Sequence, residues 1–136
     1  MEGAVVLGVF LTLLLGSLDL ALAVLRSNAL AEAARRLTRA AIVRGEDSAD
    51  LFTPWGPTIC EAGANDGSDY AVCIRDALVV AKLSEVKYRL EWPDGGNAAG
   101  DRVQATITSK YAPIIPSLFG SAPYNLQATS TMRIEH

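Results

Sequence analysis

The chain has one histidine in 136 residues, at position 136, and two cysteines, Cys60 and Cys73. A Ser–His–Asp or Cys–His arrangement would have to draw on His136, and no glycine-rich phosphate loop follows a strand pattern. Composition therefore argues against an enzyme. The cysteine spacing matches no zinc-ligand motif, so neither a metal nor a cofactor is expected. Twelve basic side chains face 15 acidic ones, a net charge of −3, which leaves no electrostatic footprint for nucleic acid. No lysine or arginine precedes Arg26, and no proline precedes Pro54.

What is present is aliphatic and concentrated. Half of the residues are hydrophobic but only 7% are aromatic. From Ala4 to Leu25, 17 of 22 residues are Ala, Val, Leu or Phe. Without that block the rest is about 45% apolar, ordinary for a folded domain. A bilayer core of about 30 Å takes about 20 helical residues, and this stretch supplies 22. A cleavable secretory signal would have a basic start and a shorter apolar core. A buried core helix would need a larger domain around it. A single membrane-spanning helix fits best.

Residues 26–44 continue the helix with Ala, Leu, Arg and Glu and with no Gly or Pro. Leu30, Ala34, Leu37 and Ala41 draw one apolar stripe, and Glu32 reaches Arg35 and Arg36 at i+3 and i+4. Gly45 ends it. The expected organisation is a three-residue leader (1–3), a membrane and stalk helix over 4–44, and a small domain over 45–136.

Residues 46–70 are rich in turn formers, and Asn65, Asp66, Asp69 and Glu61 fail the calcium-loop spacing. Ala71–Ser84 reads as a short second helix, with Asp69 as its cap. Val86–Trp92, Arg102–Tyr111 and Asn125–Glu135 alternate apolar and polar side chains as half-buried strands. Pro113-Ile114-Ile115-Pro116 reads as extended. The class is α+β, with an antiparallel sheet of about three strands packed on the stalk.

Three features bear on function. Asp19 is the ionisable group inside the apolar run, and an acid there is costly unless it has a partner or snorkels to the interface. Pairing with a neighbouring subunit is favoured, and Asp19→Ala is then expected to leave the fold intact and impair assembly. Gly8 and Gly16, eight positions apart on one face, permit close helix–helix approach, although glycine is also common in membrane helices. A Cys60–Cys73 disulfide, which would contribute about 3 kcal/mol if unstrained, suits a small extracytoplasmic domain. The arginines that follow the span argue for the cytoplasmic side instead, so orientation stays open on these grounds.

Four stretches resemble the TadE-like minor pilins of tight-adherence pili, a branch of the type IV pilin-like proteins. They are Gly3-Ala4-Val5-Val6-Leu7, Leu18-Asp19-Leu20, the run from Arg26 to Arg36, and the two strands Val103–Pro116 and Leu126–Glu135. The resemblance implies prepilin peptidase cleavage after Gly3, with Ala4 the first mature residue. It implies an extracytoplasmic domain on a single-pass membrane protein that later enters a pilus or the cell surface. The implied partners are other pilin subunits, major or minor, the inner-membrane assembly platform and the lipid bilayer. Pilin-like proteins usually carry Glu at the fifth mature position, which is Gly8 in this chain. A different reading of the same residues is a membrane-anchored binding or accessory domain that never enters a filament.

Overall fold

The computed structural model describes residues 2–48, 50–114 and 122–135. One helix, α1 (Glu2–Ile42), runs unbroken for 41 residues, about 60 Å at helical rise. Nothing in its sequence interrupts it. The two hydroxyl side chains in its apolar half bond back to their own turn: Thr12 Oγ1 donates to the Gly8 carbonyl and Ser17 Oγ to the Leu14 carbonyl, both at 2.8 Å. Farther along, Glu32 and Arg36 meet at 3.1 Å as the i,i+4 spacing predicts.

The domain that follows is built from β1 (Cys60–Gly63), α2 (Asp69–Arg75), β2 (Val86–Glu91), β3 (Arg102–Tyr111) and β4 (Tyr124–Arg133). The strands form one antiparallel sheet in the order β1-β2-β3-β4. Tyr88 stands opposite Ile107, Leu90 opposite Ala105, and Tyr111 opposite Tyr124. Alternation puts Val86, Tyr88, Leu90, Val103, Ala105 and Ile107 on the inner face, all buried. The C-terminal half of α1 lies against that face over β3 and β4, and also meets α2. Its expected stripe is the contact: Leu30, Ala34 and Leu37 are fully buried and Ala41 nearly so. Burying a leucine of this kind contributes roughly 1.5–3 kcal/mol.

Differences from the sequence reading are local. The sheet has four strands, because Cys60–Gly63 pairs with β2 along its free edge. The second helix spans Asp69–Arg75 and stops well short of Ser84. Beyond it, Ala77, Leu78 and Ala81 each donate to the carbonyl three residues back, which makes tight turns in place of a helix. Its cap is Ser68, whose Oγ accepts from the Ala71 amide at 3.2 Å, and not Asp69. Asp66 supports that cap by accepting from the Ser68 amide, from Ser68 Oγ and from the Tyr88 hydroxyl. The Ser68 bonds hold the Asp66 carboxyl below the usual carboxylate range. Of the extended stretch expected over residues 113–116, positions 115 and 116 lie outside the described residues.

After α1 the chain is tied down by Arg44. Its carbonyl accepts from the Trp55 amide at 2.8 Å, and its guanidinium lies 4.4 Å from the Trp55 ring centre and 3.6 Å from the Asp69 carboxyl. Gly56 must be glycine twice over. Its φ is +95°, and a Cβ would run into the Trp92 ring. Trp92 in turn donates from Nε1 to Asn97 Oδ1 at 3.1 Å in a buried contact.

Candidate functional site

The sequence features with functional content all fall on α1, apart from the cysteines, and the structure sorts them by height along the helix. Gly3 and Ala4 lie in its exposed first turns. A Cβ added at Gly3 or Gly8 would meet nothing within 4 Å, so neither glycine is spent on packing within the chain. Gly16 is half-buried and lies one turn before Asp19 on the same face of the helix. That face continues through Asp19, Ala23, Arg26, Leu30, Ala33 and Leu37, at the three- and four-residue steps of one helix side.

Asp19 is where helix and sheet first meet. It is 2% exposed although it belongs to the apolar run. The Tyr111 hydroxyl donates to Asp19 Oδ1, and the Ile114 amide donates to Oδ2 at 2.9 Å. The hydroxyl also lies 3.1 Å from the Asp19 carbonyl oxygen. Tyr111 closes β3, and two turns farther along α1 the Arg26 guanidinium sits 4.9 Å from the centre of its ring. Burial, reinforced by the acidic neighbour, pushes the Tyr111 hydroxyl up to about 12, so it remains a donor at ordinary pH. Beside the junction a cavity of about 120 Å³ is lined by Leu20, Ala23, Pro113, Tyr124 and Leu126.

This arrangement adds to the expectation for Asp19. The acid has partners inside its own chain, so its burial does not require a neighbouring subunit. Sequence reasoning singled out Asp19 but missed Tyr111 and the Ile114 amide. No local pattern links positions 92 and 95 residues apart, and the only hint was that β3 ends in a tyrosine followed by Ala112-Pro113.

The cysteines sit on neighbouring elements, Cys60 opening β1 and Cys73 within α2. Both are half-buried against the apolar core and both are free thiols in this structure, where a disulfide was expected. Each fills core volume as a small apolar side chain. Among the described residues no group of three His, Cys, Asp or Glu side chains converges on a point where a metal ion would sit. The site consists of an exposed apolar rod and a polar lock at the point where the rod leaves the domain.

No family model matches this chain, and neither a curated protein nor a solved structure matches it. The fold and the junction define a class by architecture alone, a small α+β domain mounted on the second half of a long N-terminal helix whose first half is apolar on every side.

Proposed function

We propose that the chain is a TadE-like minor pilin subunit, serving assembly or initiation of a tight-adherence pilus through its N-terminal helix. The observation that carries this reading is the division of α1. Residues 2–18 project beyond the sheet with Val5, Val9 and Leu13 all more than half exposed, while residues 19–42 are bound to the domain. A helix of that kind needs an apolar environment from outside the chain. A bilayer supplies it before assembly, and the helices of neighbouring pilin subunits supply it in a filament. In this reading the domain is extracytoplasmic, the prepilin peptidase cuts between Gly3 and Ala4, and the inner-membrane assembly platform receives the anchored subunit.

A second reading has support in two residues. Asp19 is engaged within the chain and Gly8 presents no carboxyl group, so neither offers a spare acid to a neighbouring subunit. Both fit a membrane-anchored accessory or binding domain that never enters a filament. Intact-mass measurement of the protein extracted from membranes, together with immunodetection in sheared appendages, separates the two. Loss of residues 1–3 and recovery with the appendages is the result expected of the pilin. An uncut Met1 and retention in the membrane would replace it with the anchored domain.

A further inference from the structure

The apolar surface of α1 does not stop where the domain begins. Asp19 and Arg26 face the sheet, but Leu18, Val24 and Leu25 turn away from it and remain about half exposed, and Leu20, beside the junction cavity, is more exposed still. For two turns, therefore, the helix has the domain on one flank and bare aliphatic side chains on the other. The projecting part, Glu2–Leu18, is only about 25 Å long, short of a hydrocarbon core of about 30 Å. The first charged group along the helix after Asp19 is Arg26, about 10 Å farther on at helical rise. If the membrane boundary follows the apolar surface to Leu25, the end of the sheet locked to Asp19 lies below that boundary.

That end is suited to the position. Neither Ala112–Ile114 nor Ala122–Tyr124 carries a charged side chain, and the one charge beside them is the exposed Lys110 of β3, whose long stem can reach outward from an interface. Ile114 is 60% exposed and Tyr124 44% exposed, with Pro113 beside them at the Asp19 junction. The opposite end of the sheet has the reverse character, with Asp94, Asp101, Arg102 and Arg133. Tyrosine with one apolar and one polar end, and arginine folded over it, are the side chains that settle at the headgroup level.

We infer that the end of the sheet carrying Tyr111, Pro113, Ile114 and Tyr124 seats in the interfacial layer of the lipid bilayer beside α1. This rests on the membrane reading of the projecting helix. The domain is then held on lipid by two contacts, and the Asp19 lock sets the angle between helix and sheet so that both reach lipid together.

The test uses the full chain in phosphatidylcholine–phosphatidylglycerol vesicles. A dansyl-bearing amino acid is inserted by amber suppression at one position at a time, Ile114, Tyr124, Leu13 or Ala99, leaving Cys60 and Cys73 in place. Vesicles carry spin-labelled lipid with the quencher either near the headgroup or near the chain end. Emission from positions 114 and 124 is expected to shift to the blue and to be lost mainly to the shallow quencher. Position 13 should lose emission to the deep quencher, and position 99, at the far end of the sheet, to neither. Water-like, unquenched emission at both 114 and 124, with position 13 still quenched, overturns the interfacial contact and leaves the anchor standing. Unquenched emission at position 13 as well overturns the membrane reading, and the contact with it.

Discussion

Between Glu2 and Leu18, α1 presents Val5 at 68% and Leu13 at 69% exposure, whereas between Leu30 and Ala41 it hides Leu30, Ala33, Ala34 and Leu37 completely. The two halves share backbone geometry and good helix formers, and no break separates them. They differ in the arrangement of apolar side chains, which is all round in the first half and confined to a stripe in the second. A stripe can be satisfied by one sheet face, and this chain supplies that face. An all-round apolar surface cannot be satisfied by a domain of about 90 residues. Tertiary structure therefore accounts for one half of the helix and leaves the other exposed, in a helix long and apolar enough to cross a membrane.

The most severe way to break this comparison is to remove the first half. A chain lacking residues 2–17 keeps Asp19 with its partners Tyr111 and Ile114 and keeps the stripe from Leu30 to Ala41. It is expected to leave the membrane pellet and unfold cooperatively without detergent, as followed by ultracentrifugation and circular dichroism. A truncated protein that still sediments with membranes would mean that the docked half also carries the affinity.

Matched leucine truncations make the same contrast quantitative. Leu37→Ala opens a cavity under the sheet and should destabilise the domain by about 3 kcal/mol. Leu13→Ala removes as many atoms from a side chain that is 69% exposed, and should change domain unfolding by less than about 0.5 kcal/mol. Urea titrations in one detergent compare them directly. Equal losses would show that the projecting half is coupled to the fold.

The contrast between the halves is also what the sequence made legible. The stripe Leu30, Ala34, Leu37 and Ala41 and the alternation in β2, β3 and β4 were readable nearly to the residue, because each has a period that only one structure satisfies. β1 was not, since Cys-Glu-Ala-Gly is too short for a period and is made a strand by the edge of β2. The second helix was overread because Leu78, Val79 and Val80 are apolar without being helical in spacing. Asp19 was legible as an anomaly but its partners were not. They are assembled only when the end of β3 arrives against the helix, and that meeting has no local signature.

Asp19 marks the border between the halves, so its substitution tests how firmly the border is set. Asp19→Ala leaves the Tyr111 hydroxyl and the Ile114 amide without this acceptor, at a cost of about 2 kcal/mol. Loss of domain stability in the same titration is the expected result, contrary to the intact fold that the sequence alone suggested. Stability equal to wild type, with assembly impaired, would return the residue to a role between subunits. Within the docked half, Thr38 Oγ1 is buried 2.7 Å from the Ala34 carbonyl and 3.3 Å from the Ser130 carbonyl on β4. Thr38→Val keeps the shape and should cost about 1 kcal/mol.

The least effect is expected at the charged end of the sheet, away from the projecting helix. Asp94 accepts from the Arg102 side chain, at 2.7 Å to Nη2, and from the Arg102 amide at 2.8 Å. These bonds, the side-chain ones first, hold its carboxyl down at about 2. A carboxyl lowered in the folded state contributes stability that is fully present above its unfolded value near 4 and is lost as pH falls through 2. The ion pair lies at the surface, so solvent screening keeps the contribution small. Thermal unfolding of wild type and Asp94→Asn should therefore differ slightly at pH 5 and converge by pH 2. A gap that stays constant over that range would assign the difference to the hydrogen bonds at the β3 start rather than to the charge, and would leave the domain's acid sensitivity to the Asp66 cap, whose carboxyl is lowered in the same direction.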